Sequence, residues 1–209
     1  MTIGAAGEAR RPGVVSSERM TERGRNHTIA EWLALPPDRR LELIDGELIE
    51  KALPDPIHAV SQVGVVTTLH PRFGKPGGAG ADSGWWILTE VDIQLGSNGY
   101  RPDVAGWRRS RSPQLPVGRP VVLRPDWICE VLSDTNRAND MVRKLRRYHE
   151  AGVPHYWLLD PDSGTLNVFR HGPEGYTSVL VADRHQRVRA EPFEAMEVHV
   201  GALLGDDPP

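Results

Sequence analysis

The alternation of apolar and polar positions is clearest at Leu41-Glu42-Leu43-Ile44-Asp45-Gly46-Glu47-Leu48-Ile49. Two short strand-like runs are joined there by Asp-Gly, the dipeptide preferred in two-residue hairpin turns. That turn sets Ile44 opposite Glu47, Leu43 opposite Leu48 and Glu42 opposite Ile49. Leu41, Leu43 and Leu48 then share one face, and Glu42 and Glu47 share the other. Upstream, Thr28-Ile29-Ala30-Glu31 has the spacing of a capping box, and the short helix it starts is stopped by Pro36-Pro37. Downstream, a helix is predicted from Ile57 to Leu69 and a flexible loop over Gly74–Gly80. Strands are predicted at 85–95, 101–107, 126–132, 155–159, 165–170 and 176–182, with a last one near 196–200. A Pro/Gly-rich connection covers 112–120. A helical pattern runs from Asn136 to Ala151 and ends at Gly152, a standard C-terminal stop. Strands, one helix, then strands again predict a mixed α/β fold, mostly antiparallel, with one crossover helix.

Composition narrows this picture. The chain has 209 residues, 39% of them hydrophobic and 25% charged, which suits one domain with a full core. Residues 1–26 are polar and aperiodic and read as a disordered tail, leaving 27–205 as the single domain. No apolar run approaches the roughly 20 residues needed to cross a bilayer, and the N-terminus lacks the apolar segment of a secretory signal, so a cytoplasmic location is expected. The single cysteine, Cys129, excludes intramolecular disulfides and multi-thiolate zinc sites. A net charge of −3 gives no global signal for nucleic acid. Basic character is local, at Arg108–Arg111 and in Arg143-Lys144-Leu145-Arg146-Arg147. Arg143, Arg146 and Arg147 read equally as phosphate-backbone contacts or as an ordinary solvated helix face.

The usual signatures of hydrolases, zinc proteases and nucleotide-binding loops are missing, and the eight histidines show no ligand spacing. Carboxylates remain. Glu130 interrupts the apolar run Trp127-Ile128-Cys129-Glu130-Val131-Leu132, where an unpaired charge would cost several kcal/mol, on the order of 3–5 for a broken buried pair. Asp103 opens the preceding strand 27 residues earlier. Strands of this kind commonly lie side by side, and two adjacent carboxylates call for a cation between them. A hard divalent ion such as Mg²⁺ or Mn²⁺ takes such oxygen ligands. Asp140, Lys144 and Tyr148, spaced i, i+4, i+8, share one helix face, from which Lys144 could reach a bound water or a scissile phosphate. The plainer reading makes Glu130 half of a buried ion pair, Lys144 the partner of Asp140, Glu42 and Glu47 members of a solvated face of an edge ribbon, His58 a packed histidine and Tyr148 a core residue.

Taken in order, Pro102-Asp103, Glu130-Val131-Leu132-Ser133, Lys144-x-x-x-Tyr148, Gly152-Val153 and His155-Tyr156-Trp157-Leu158-Leu159-Asp160-Pro161 resemble the Uma family of restriction-type endonucleases, a branch of the PD-(D/E)XK nuclease superfamily. The hairpin Leu43–Leu48 and the following His58 match its N-terminal half, and the resemblance spans about residues 28–204. It implies a restriction-endonuclease-like fold with Asp103 and Glu130 as metal ligands. It also implies Glu47 as a hairpin acid that completes the metal site, and His58 and Tyr148 as cleft residues. The superfamily lysine two residues after the second acid is absent, since that position is Leu132. In the Uma branch the lysine stands on the following helix, where Lys144 is the matching residue.

The expected function is therefore Mg²⁺- or Mn²⁺-dependent hydrolysis of phosphodiester bonds, in DNA, with Lys144 assisting the attacking water. A homodimer would supply the two active sites that cutting a duplex requires. The competing reading is a non-catalytic nucleic-acid-binding or regulatory module on the same fold.

Overall fold

The computed structural model describes residues 26–75, 84–133 and 139–207. The predicted tail, apart from Asn26, lies outside them, as do 76–80 of the predicted loop and 136–138 of the predicted crossover helix. Helix α1 (Ile29–Ala34) begins at the predicted capping box, with the Thr28 side chain accepting from the Glu31 amide and Glu31 returning to the Thr28 amide. The hairpin follows as β1 (Leu41–Ile44) and β2 (Glu47–Glu50), in the predicted register. Asp45 (φ 56°) and Gly46 (φ 79°) supply the two left-handed positions of its turn.

Helix α2 (Pro56–Phe73) is capped by Asp55. The single strand expected over 85–95 is instead β3 (Trp85–Thr89) and β4 (Ile93–Leu95), which belong to different sheets. Glu90, at φ 55°, turns the chain between them. Then come β5 (Asn98–Tyr100), β6 (Val104–Arg108) and β7 (Trp127–Val131). The crossover is a wide π-type turn over Asn139–Lys144 that runs into α3 (Leu145–Glu150). The chain continues through β8 (His155–Asp160), β9 (Thr165–His171), β10 (Tyr176–Asp183), β11 (Arg187–Val188), β12 (Val198–His199) and α4 (Val200–Leu203).

The main sheet has the order β10-β9-β8-β7-β6-β3 and is antiparallel except for β7 and β8, the parallel pair joined by the crossover. A smaller antiparallel sheet has the order β2-β1-β5-β4. Strand β7 lies inside the main sheet and is buried on both faces, which explains its near-continuous apolar run. Trp127, Cys129 and Val131 face one core, built with Val65, Leu69 and Phe73 of α2. Ile128 and Leu132 face a second core with Tyr148 of α3 and Ile44 of the hairpin. Trp32 of α1 seals the small sheet by lying on Gly99, where an added Cβ would come within 2.5 Å of its ring, and by donating to the Leu41 carbonyl at 2.6 Å. Among the described residues, no helix is long and apolar enough to cross a membrane.

Candidate functional site

Glu130 shares its parity with Ile128 and Leu132, so alternation turns its carboxylate toward the crossover helix. On the neighbouring strand, Asp103 stands just ahead of β6. Each acid accepts from a backbone amide of the other's segment. The Asp103 amide donates to Glu130 Oε2 at 3.3 Å, and the Val131 amide donates to Asp103 Oδ2 at 2.8 Å. Each carboxylate is 1% exposed as a residue, so neither is neutralised by bulk water.

Neutralisation comes from two buried lysines. The Lys144 ammonium stands 3.1 Å from Glu130 Oε1 and 3.0 Å from Glu42 Oε2. One turn along α3, the Tyr148 hydroxyl donates to Glu130 Oε1 at 2.8 Å. Burial, with Glu130 and Glu42 beside it, pushes the Tyr148 hydroxyl well above its ordinary value and keeps it a donor. Lys51, at the exit of β2, donates at 2.7 Å to Asp103 Oδ1, at 2.7 Å to the Arg101 carbonyl and at 3.3 Å to Glu90 Oε1. Burial alone would lower the Lys51 ammonium, but Asp103 and Glu130 outweigh it and hold the group above its usual range. Asp103 is the mirror case, since burial would raise its carboxyl, while Lys51 and a hydrogen bond from His58 bring it well below the usual carboxylate range.

Helix α2 supplies the other side. His58 Nε2 lies 3.0 Å from Asp103 Oδ1, and Gln62 donates to the Asp103 carbonyl at 2.8 Å. Paired with an anion, Nε2 carries the proton, and the buried Nδ1 has no hydrogen-bond partner. A small polar hollow at this end is lined by Asp55, His58, Leu132, Ser133 and Asp162.

Of the residues singled out from sequence, Asp103, Glu130, Lys144, His58 and Tyr148 thus converge in one buried network. Glu47 does not join it. Its side chain is 66% exposed and pairs with Arg143 at 3.0 Å, because it sits beside the turn on the edge strand β2. Glu42 lies on the inner strand β1 and is 3% exposed, so the solvated face expected for it is covered. It also accepts from the Arg101 amide at 2.9 Å. Glu42, Lys51 and Glu90 were not marked by any sequence motif. Glu42 carried one legible sign, since it shares its face with Ile44.

The three arginines that read either as phosphate contacts or as a solvated helix face are all engaged in ion pairs. Arg143 and Arg147 meet Asp45 of the hairpin turn, Arg143 also meets Glu47, and Arg146 pairs with Glu150. Arg143 and Arg147 dock the hairpin onto the crossover and α3. Nothing is described of the Asp140 side chain, which lies outside the described ones.

The donor set suits a hard cation. Asp103 and Glu130 offer carboxylate oxygens from adjacent strands, with buried ammonium groups where positive charge is required. Among the described residues, no three His, Cys, Asp or Glu side chains group to hold a metal by themselves. A pair of carboxylates is nevertheless the usual protein share for Mg²⁺, which keeps several waters.

A family model described as "Putative restriction endonuclease", Uma2, matches residues 29–201. Among solved structures, the chain is similar to one described as a "putative nuclease belonging to DUF820" from Anabaena variabilis ATCC 29413. That likeness has 23% sequence identity and a TM-score of 0.70, and covers 85% of this chain and 97% of the other. Comparison with curated proteins gives no match. The fold is restriction-endonuclease-like.

Proposed function

From the premise that this chain belongs to the Uma2 family, we propose that it is a metal-dependent endonuclease that hydrolyses phosphodiester bonds in DNA. The observation that carries this reading is the reciprocal clasp of Asp103 and Glu130, with the Lys144 ammonium 3.1 Å from Glu130. Asp103 and Glu130 would hold a Mg²⁺ or Mn²⁺ ion, which supplies Lewis-acid activation of water and charge neutralisation at phosphate. Each remaining role falls to a side chain in the network. His58 fixes the rotamer of Asp103 through Oδ1. Tyr148 and Lys144 both hold Glu130 Oε1, which leaves the Oε2 edge toward Asp103. Lys144 is the positive group that stabilises an attacking water and the charge developing on phosphate. Glu42 takes the place in the network that the resemblance implied for Glu47, and it acts by holding the Lys144 ammonium.

The test is cleavage of plasmid or single-stranded DNA in Mg²⁺ or Mn²⁺. Activity should disappear with chelator and in Glu130→Ala. Purified protein that cuts no DNA substrate in either metal would refute the proposal. A second reading, a nucleic-acid-binding or regulatory module without turnover, is favoured by one observation. Leu132 stands where the superfamily has its lysine, and both acids already have ammonium partners. On that reading, titration with Mn²⁺ shows no binding that Glu130→Ala removes.

A further inference from the structure

Lys51 has no part in the mechanism just described, yet it is among the most deeply placed charges of the site, its side chain 4% exposed. An ammonium has three donors, and here all three are used, on Asp103 Oδ1, the Arg101 carbonyl and Glu90 Oε1. Only the first of these is a group that the nuclease reading assigns to a metal. Glu90 is held in place independently by Arg40 at 3.0 Å. The Lys51 backbone is pinned as well, its amide donating to the Arg40 carbonyl at 2.8 Å. The long side chain can therefore turn while the chain stays fixed.

We propose that Lys51 is a resident cation at the Asp103 end of the site, and that a divalent ion bound to Asp103 displaces it onto Glu90 and the Arg101 carbonyl. Two of its three hydrogen bonds survive that shift, so the displacement leaves no bare ammonium in the interior. Asp103 keeps its His58 and Val131 contacts. What changes is electrostatic, because a like charge stands beside the incoming ion, so Lys51 sets how tightly the ion is held. Without the ion, the same residue keeps Asp103 paired. Lys51 is thus a positioning residue for the metal rather than a group that touches substrate. The inference rests on the metal-site reading given under Proposed function.

The experiment is isothermal titration of the full chain with Mn²⁺ alone, together with the Mn²⁺-induced shift in melting temperature, for wild type, Lys51→Met, Glu90→Gln and Asp103→Asn. Removing a like charge this close in a buried site should tighten Mn²⁺ binding about tenfold or more in Lys51→Met. Mn²⁺ should then raise the melting temperature of Lys51→Met by more than that of wild type, because the ion replaces the lost ammonium. Glu90→Gln takes the negative charge from the retreat, leaving a neutral amide oxygen, and should weaken Mn²⁺ binding several-fold. Equal or weaker binding in Lys51→Met overturns the proposal. Should that variant fail to fold even with Mn²⁺ present, wild-type affinity in Glu90→Gln overturns it instead. If wild type and Lys51→Met both bind no Mn²⁺, the metal reading falls and takes this one with it. If wild type binds, Asp103→Asn does not, and Lys51→Met matches wild type, the role of Lys51 alone is lost.

Discussion

Replacing Lys144 with Met tests the buried network most directly. Methionine is nearly as long and as bulky, so little cavity forms, and the change is almost purely the loss of one charge. That charge is 2% exposed and serves two carboxylates, Glu130 at 3.1 Å and Glu42 at 3.0 Å. Removing one partner of a buried pair costs about 3–5 kcal/mol, and with two acids left uncompensated the loss should fall in the upper half, about 4–5 kcal/mol. For a chain of this size each kcal/mol moves the melting temperature by about 2–4 °C, so a drop of about 8–20 °C is expected. Urea unfolding of wild type and variant at pH 7 measures the difference. Adding Glu42→Gln to Lys144→Met removes one stranded carboxylate and should recover about 2 kcal/mol, roughly half the loss. A loss under about 1 kcal/mol, or a double variant no more stable than the single, would show that Lys144 is not the shared counter-ion described here.

Three further outcomes are expected. The carboxyl of Asp103 is held low when folded, so its contribution is fully present above the ordinary carboxylate value near pH 4 and declines as the pH falls below it; Asp103→Asn should flatten that part of a stability-versus-pH curve. Burial, helped by Arg108, lowers the folded His155 imidazole to about 4 while the unfolded chain still binds its proton near 6.5, so stability should begin to fall below about pH 6.5, and His155→Gln should remove this upper step. Gly64 of α2 packs against α4 so closely that an added Cβ would lie 2.6 Å from the Leu203 carbonyl, backbone that cannot swing aside. Gly64→Ala should therefore destabilise by about 1–3 kcal/mol in urea unfolding, whereas an ordinary helical Gly→Ala change would stabilise.

Local rules carried much of the fold. Asp45-Gly46 set the hairpin register, Thr28 and Glu31 set the first helix, and the apolar run around Glu130 marked a strand buried on both faces. The side-by-side placement of Asp103 and Glu130 under a helix bearing Lys144 and Tyr148 could be read from strand order and helical spacing. What escaped depends on how the two sheets meet. Alternation separates Glu42 from Leu41 and Leu43 but cannot tell whether its own face looks at water or, as here, at α3. Lys51 follows a strand end, where no periodicity applies. Glu90 breaks a stretch that reads as one continuous strand, because its left-handed backbone has no signature of the kind glycine or Asp-Gly provides. The resemblance points to Glu47, but that residue stands on the edge strand β2 with its side chain largely in solvent.

Arg101 has a consequence for how the site comes into being. Its amide holds Glu42 and its carbonyl holds Lys51, so the backbone of one residue carries both lysine branches. On a ribosome the hairpin residues Glu42 and Lys51 emerge first, Arg101 and Asp103 about fifty residues later, and Lys144 last. Until Lys144 has been made, Glu42 and Glu130 lack their shared cation. A chain arrested after β7 holds both acids but not the ammonium that bridges them. The bridged carboxylates therefore belong only to a chain made through Lys144, and no product of synthesis or proteolysis that ends before that residue can carry them.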